Sequence, residues 1–119
     1  MIFRAKNSST EVENKKMARL ALGLDSSTQS LSSVIVDIDN AEKIFEHSLD
    51  YRQDGRLNDY GIGSDYVLPP RIEGEADQPP EMFLASLDAM FCDIRSAGVL
   101  IEDIVVINNS AQQHSHTYL

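Results

Sequence analysis

Two clusters of polar residues in this sequence carry side chains that could bind a ligand. The first is the run Asp25-Ser26-Ser27-Thr28-Gln29, and the second is Gln112-Gln113-His114. Short hydroxyl side chains allow backbone N–H groups to approach a phosphate closely, and the carboxylate of Asp25 is a suitable ligand for Mg²⁺, often through water. Amide and imidazole groups both donate and accept hydrogen bonds, so Gln113 and His114 suit the hydroxyl groups of a sugar.

Both clusters also have simpler interpretations. Aspartate, serine and threonine are common in tight turns, so residues 25–29 could form only a hairpin turn. The turn is not a Walker loop, because the sequence contains no Gly-Lys-Ser or Gly-Lys-Thr. His114 alone could be a solvated histidine at the end of a strand. The residue types by themselves leave these alternatives open.

Three short strands are predicted around the first cluster. They are Ala18–Leu24, Leu31–Asp37 and Lys43–Leu49. The first is an apolar run that stops at Asp25, and the second contains the β-branched run Val34-Ile35-Val36. Apolar or alternating runs of this length, separated by short polar turns, are typical of consecutive antiparallel strands.

A helix and a fourth strand are predicted before the second cluster. Proline in the first turn favours a helix start at Pro79-Pro80-Glu81, and Gly98 is a typical stop. One apolar face is predicted from the spacing of Leu84, Leu87, Phe91 and Ile94. The unbroken apolar run Ile104–Ile107 then predicts a strand that is buried on both faces.

These elements predict an α/β fold with a mixed sheet: an antiparallel three-strand start, a crossover helix and a fourth strand parallel to the first. Ligand sites in such folds lie beyond the carboxyl ends of the strands. Asp25–Gln29 and Asn108–His116 both follow strand ends, so we expect them to share one cleft.

Two further segments are read from their composition. Residues 50–80 are rich in Gly, Asp and Pro and include Tyr51, Tyr60 and Tyr66, which predicts a long surface excursion that is either functional or disordered. Residues 1–17 are mostly polar and lack the apolar centre of a secretory signal. We expect a disordered extension there, with Met17 as the natural start.

The composition limits the classes of function. The chain has 119 residues, ten basic against nineteen acidic, for a net charge of -9, so binding to nucleic acid or to an anionic membrane surface is not expected. No apolar run approaches the length of a membrane span. The single cysteine, Cys92, cannot form an internal disulfide, which fits a cytoplasmic protein. Its place on an apolar helical stretch predicts a small core residue.

Three other features are weak candidates for function. Asp37-Ile38-Asp39-Asn40 resembles the start of a calcium loop, but Glu42 and Ser48 occupy positions that need Gly and Glu. His114 and His116 alternate, yet no third metal ligand is apparent. No partner is identified for His47 from the sequence.

Two motifs resemble those of a known family. Leu22-Gly23-Leu24-Asp25-Ser26-Ser27-Thr28-Gln29-Ser30, followed by the strand Val34-Ile35-Val36-Asp37, resembles the first phosphate motif of the actin/hexokinase-like (ribonuclease H-like) ATPases, and more narrowly the opening of the FGGY carbohydrate kinases. Ile107-Asn108-Asn109-Ser110-Ala111-Gln112-Gln113-His114 resembles the segment of xylulose kinases in which Gly-Gln-Gln-His follows a buried strand. Ala111 stands where that family commonly has Gly.

The resemblance implies a function and assigns roles to residues. It implies that residues 18–119 form the N-terminal part of the first lobe of a kinase that phosphorylates a ketopentose such as D-xylulose with ATP and Mg²⁺. ATP would be bound by Asp25, Ser26, Ser27, Thr28 and Gln29, Mg²⁺ by Asp25, and the sugar by Gln113 and His114. No catalytic residue is expected in this chain, since the general base of that family lies later, beyond Leu119. The alternative is a kinase-derived α/β domain that acts only in binding. The missing remainder of the kinase is an expected partner.

Overall fold

The computed structural model describes residues 18–112 and 116–117. Within them the regular elements are β1 (Leu20–Ser26), β2 (Ser30–Asp37), β3 (Glu42–Asp50), α1 (Pro80–Ser96) and β4 (Ile104–Ala111). Two 3-10 helices, Gly55–Tyr60 and Ile101–Asp103, precede α1 and β4 respectively. The predicted elements are therefore all present, with strand ends that differ by a few residues.

The strands form a mixed sheet in the order β3-β2-β1-β4. β1 pairs antiparallel with β2, and β2 pairs antiparallel with β3. After α1 the chain returns to pair β4 parallel with β1. The predicted α/β class is confirmed, including the antiparallel start, the crossover helix and the parallel fourth strand.

The core lies between one face of the sheet and α1. Alternate residues of β1 and β2, such as Leu22 and Ile35, point to this face and are fully buried, as are Met82, Met90 and Ile94 of α1. Alternation follows from the two-residue period of a strand. Each fully buried aliphatic side chain stabilises the fold by about 1.5–3 kcal/mol.

The buried face of α1 differs from the predicted one. Leu84 is 68% exposed and Cys92 is exposed, so the predictions that these two residues face the core are wrong. The other three residues of the predicted face do contact the core: Ile94 is fully buried, and Leu87 and Phe91 are partly buried against it. The residues that are buried are Met82, Ser86, Ala89, Met90 and Ile94. Ser86 can be buried because its hydroxyl donates to the Phe83 carbonyl, 2.7 Å away. The ends of α1 are as predicted, with Pro80 in the first turn and Gly98 at a φ of 89° just after it.

The predicted burial of the fourth strand on both faces is also wrong. Val105, Val106 and Ile107 are 59%, 49% and 55% exposed. β4 is an edge strand of the described sheet, and α1 packs against β2, β3 and the 3-10 helix Gly55–Tyr60. Apolar side chains on both faces of β4 therefore contact water.

The excursion between β3 and α1 supplies part of the core. Tyr51 is completely buried and Leu57 is 1% exposed, which corrects the prediction that this segment lies wholly on the surface. The Tyr51 ring stands edge-on to Phe83 with ring centroids 5.6 Å apart. The start of the excursion is thus anchored between the sheet and α1.

His47 has a partner that the sequence did not reveal. Its Nε2 lies 2.9 Å from Oδ2 of Asp93 on α1. Arg56 donates to both carboxylate oxygens of Asp93, each at 2.9 Å, and to both oxygens of Asp54, at 2.9 and 2.6 Å. These bonds connect β3, the 3-10 helix Gly55–Tyr60 and α1.

Candidate functional site

The first polar cluster lies beside the described residues that lead into the second, because β1 and β4 are parallel and in register. Asp25 pairs with Ser110, and the Ser110 hydroxyl donates to Oδ1 of Asp25 at 2.8 Å. Past the end of β4, the Gln112 N–H donates to the Ser26 carbonyl at 2.9 Å. β4 extends to Ala111, so Asn108–Ser110 belong to the strand rather than following it. Asp25 and the described residues 108–112 thus meet at one end of the sheet, but Asp25 lines one depression and Gln112 lines a separate cleft.

Asp25 is exposed on the sheet face opposite α1. It neighbours Ser32 in the sheet, and the Ser32 hydroxyl lies 3.0 Å from that of Ser48. A shallow depression of about 310 Å³ surrounds Asp25, with Gly23 in its floor and Glu46 and Asn108 among its lining residues. A carboxylate flanked by hydroxyls, with the Glu46 carboxylate in the same depression, suits Mg²⁺, which usually keeps several waters and takes one or two carboxylates.

A cage of protein ligands is absent from the described part of the chain. Residues 18–112 and 116–117 contain no group of three or more His, Cys, Asp or Glu placed to hold a metal ion. The donor set at Asp25 therefore fits an ion whose remaining ligands are water or phosphate oxygens. It does not fit a structural metal such as zinc.

The β1–β2 turn is organised by the Ser27 side chain. The Ser27 hydroxyl donates to the Ser30 carbonyl at 3.1 Å and accepts from the N–H groups of Gln29 and Ser30, at 3.4 and 3.2 Å. The role of Ser27 in this structure is to close the turn. The side chains of Thr28 and Gln29 are exposed at its tip, and these two are the ones available to a ligand.

Tyr51 lies beneath the turn. Its hydroxyl is 3.4 Å from the Ser26 hydroxyl. Burial raises the pKa of Tyr51 because the phenolate would be poorly solvated; hydrogen bonds with Ser26 and Ser86 act against this, and the Asp25 charge adds to it. The phenol is therefore neutral and serves as a hydrogen-bonding group under the ligand-facing turn.

A cleft of about 1290 Å³ lies between the turn and the returning arm of the excursion. Thr28, Gln29 and Gln112 line it on the sheet side. The rest of its lining includes Tyr66, Phe83 and three prolines, together with four carboxylates and one guanidinium: Asp65, Glu75, Asp77, Glu81 and Arg71. Arg71 is paired with Glu75 at 2.7 Å and lies 3.6 Å from Asp77. This acidic lining favours an uncharged polyhydroxy ligand, or a phosphate already complexed with Mg²⁺, over a free anion.

Gln78 joins the turn to the excursion. Its Nε2 donates to the Thr28 carbonyl at 2.8 Å and to the Tyr66 carbonyl at 2.7 Å. Sequence reasoning did not single out Gln78, since it immediately precedes the Pro79-Pro80 helix start and no local pattern marks it. Thr28 and Gln78 are 50 residues apart in the sequence, so their contact can be recognised only in the folded structure.

Some predicted site residues cannot be placed. Gln113 and His114 lie outside the described residues, as do residues 1–17, and the predictions for them stay predictions. The described neighbours of that segment, Gln112 and His116, both line the cleft. No helix in the described ranges is long and apolar enough to cross a membrane.

No family model matches this chain. A curated sequence and two of the solved structures that are similar to it are described below. The chain is 30% identical over 99 residues to a curated protein of Arthroderma otae named Probable D-xylulose kinase A; the match covers 83% of this chain and 17% of that protein. This chain therefore spans only a small part of the length of that protein, which is about six times as long as the matched segment.

Two solved structures from Aquifex aeolicus, described as a PPX-GPPA enzyme and a member of the Ppx/GppA protein family, have TM-scores of 0.43 and 0.42. Their identities are 12% and 7%, and each match covers 78% of this chain and 26% of the other. Because these TM-scores and identities are low, the description of the fold rests on the strand order observed in this chain itself. The class defined by that order and by the sequence match is an α/β domain similar to part of a kinase. The particular protein to which it is similar in sequence is the D-xylulose kinase named above.

Proposed function

We propose that this chain carries the ATP-phosphate turn and the sugar-contacting segment of an FGGY-type carbohydrate kinase that phosphorylates a ketopentose such as D-xylulose. In this proposal residues 18–119 are the N-terminal part of the first, actin/hexokinase-like lobe, and the reaction takes place in the cytoplasm. Its ligands are a sugar, ATP and Mg²⁺, and not nucleic acid or a membrane.

The observation that carries the proposal is the parallel register of β1 and β4. It places Asp25 within a hydrogen bond of Ser110 and leads the chain from Gln112 directly towards Gln113 and His114. This register supports a site in which the segment that begins at Gln112 lies beside the strand that carries Asp25. Phosphoryl transfer depends above all on such positioning, together with charge neutralisation.

The roles follow from the geometry at the turn. Asp25 would hold Mg²⁺ through water, and the exposed tip formed by Thr28 and Gln29 would contact the phosphates. Ser27 would hold the conformation of the tip through its three hydrogen bonds within the turn. The acidic cleft lining disfavours an anionic sugar phosphate and so favours an uncharged sugar as the substrate. The general base would come from the part of a kinase that follows Leu119.

Binding measurements test the proposal on the chain as it is. Titration with Mg-ATP and with D-xylulose, followed by NMR chemical shifts, should give saturable changes near the turn for the nucleotide and near β4 for the sugar. Asp25→Asn should weaken Mg-ATP binding about tenfold, which is a loss of about 1.4 kcal/mol. Asp59→Asn, an exposed aspartate in the 3-10 helix, is its control.

A second pair of variants tests the sugar segment. His114→Ala should weaken D-xylulose binding at least about fivefold and leave Mg-ATP binding unchanged, because imidazole bonds to sugar hydroxyls contribute about 1 kcal/mol each. His116→Ala, two residues away, should have a smaller effect. If the chain binds neither Mg-ATP nor D-xylulose but binds another partner saturably, the alternative of a non-catalytic α/β domain is favoured. Unchanged xylulose affinity in His114→Ala would remove the sugar assignment.

A further inference from the structure

The part of the cleft wall that no motif explains is the segment from Gly63 to Gln78. It is ordered by bonds of its own: the Gly63 N–H donates to the Val67 carbonyl at 2.8 Å, and the Leu68 N–H donates to the Asp77 carbonyl at 2.8 Å. The second bond joins the outgoing and returning arms of the excursion. It sets Gln78, one residue further on, at the base of the cleft.

Gln78 uses its amide on two carbonyls from different parts of the chain. The half-buried Nε2 donates to the Thr28 carbonyl in the β1–β2 turn and to the Tyr66 carbonyl in the excursion. A primary amide has two N–H donors, so both are occupied by this bridge.

Tyr66 is held in an uncommon backbone conformation that presents its carbonyl to Gln78. Its φ is 68°, in the left-handed region that costs a non-glycine residue about 1–3 kcal/mol. The Tyr66 hydroxyl donates to both oxygens of Asp50, at 3.1 and 2.8 Å, at the end of β3. The Tyr66 carbonyl accepts from Gln78, and the Tyr66 phenol donates to Asp50. These two contacts stabilise the strained backbone conformation.

We propose that Gln78 is a positioning residue that locks the β1–β2 turn to the excursion, so that both present one rigid wall to the ligand. The inference rests on the proposed function in one respect, which is that the turn is taken to bind phosphate. A ligand that meets a pre-ordered turn does not pay for ordering it on binding. Loss of the bridge therefore lowers affinity without removing any group that touches the ligand.

Variants at Gln78 separate its donor role from its packing. Gln78→Glu keeps the shape but replaces the donors by a carboxylate that faces two carbonyls, and Gln78→Lys keeps N–H donors on a chain that can still reach. The control is Gln53→Glu, the same change at an exposed residue outside the cleft.

Amide hydrogen exchange reads the bridge directly in the full chain without any ligand. Gln78→Glu should raise exchange at the bonded amides of Ser27 and Leu68 together by at least about tenfold, equal to about 1.4 kcal/mol. The core amide of Ile35 should not change, and Gln78→Lys should stay within about threefold of the parent chain. Equal effects of Glu and Lys, or a change at Leu68 without one at Ser27, would overturn the inference.

Mg-ATP titration then separates this inference from the proposed function. If the parent chain binds Mg-ATP, Gln78→Glu should weaken that binding about tenfold. Gln53→Glu adds the same negative charge, so it should show only the small loss of affinity that this charge causes in both variants. If the parent chain does not bind Mg-ATP, the assignment of the turn to phosphate fails. The exchange result still decides whether Gln78 locks the turn.

Discussion

The replacement of Arg56 by methionine is the most direct test of how the excursion is attached to the rest of the fold. Arg56 donates hydrogen bonds to both carboxylate oxygens of Asp54 and to both of Asp93. Asp93 also contacts His47. Methionine keeps a long aliphatic chain, so most of the packing is retained while the charge and all five donors are lost. Asp54 and Asp93 would then face each other without a cation between them.

The size of the effect follows from exposure. The Arg56 side chain is 45% exposed, while Asp54 and Asp93 are 14% and 26% exposed. Charge-assisted bonds between buried groups contribute more, but solvent screening at this exposure reduces each pair to about 1 kcal/mol. Arg56→Met should therefore lower the free energy of unfolding by about 2 kcal/mol, or the melting temperature by about 10 °C for a domain of this size.

Urea unfolding followed by circular dichroism measures this difference. Arg95→Met is the control: Arg95 is exposed in the last turn of α1, so its replacement should cost only about 0.5 kcal/mol through the helix dipole. If Arg56→Met is within about 0.5 kcal/mol of the Arg95 variant, the bonds do not attach the excursion and the reasoning is refuted.

Two further predictions follow from the same packing. The hydrogen bonds from Arg56 lower the pKa of Asp93, with burial acting against them and His47 adding to them; a carboxylate with a lowered folded-state pKa stabilises the fold above about pH 4 and loses this contribution as pH falls further. The urea concentration at the unfolding midpoint should therefore decrease as the pH is lowered from about 5 to about 2.5, a range around and below the ordinary pKa of aspartate. The decrease should be smaller in Arg56→Met. Met90→Ala should cost about 3 kcal/mol because Met90 is fully buried, whereas Leu84→Ala should stay within about 0.5 kcal/mol. Thermal unfolding of the pair decides between the observed helix face and the one predicted from spacing.

The elements were predictable because each has a local signal. β-branched runs between short turns indicated β2, and a proline start with a glycine stop indicated α1. The parallel pairing of β4 with β1 followed from the crossover rule, and it brought Asp25 and Ser110 to one place. Local signals of this kind need no knowledge of what packs against what.

The errors concern partners that are distant in the chain. The spacing of large aliphatic residues predicted that Leu84 faces the core. The face of the helix that packs on the sheet instead includes Ser86 and Ala89, whose small side chains allow close approach. An apolar run does not reveal whether its strand is central or at an edge, so Val106 was expected inside. His47 and Asp93 are 46 residues apart, and Gln78 and Thr28 are 50 apart. Such contacts come from tertiary structure and leave no trace in a local window.

The parallel pairing of β1 with β4 also sets when the site forms during folding. The bond between Ser110 and Asp25 closes a separation of 85 residues, whereas β1, β2 and β3 are joined by short turns. Because closing a loop of this length costs more entropy than forming a hairpin, we expect β4 to dock late, after the rate-limiting step that forms the antiparallel hairpins. Changes at the β1–β4 seam should therefore speed unfolding while hardly changing the rate of folding. A nascent chain gains its hairpins early, but Asp25 meets Ser110 only after β4 has been synthesised and docked.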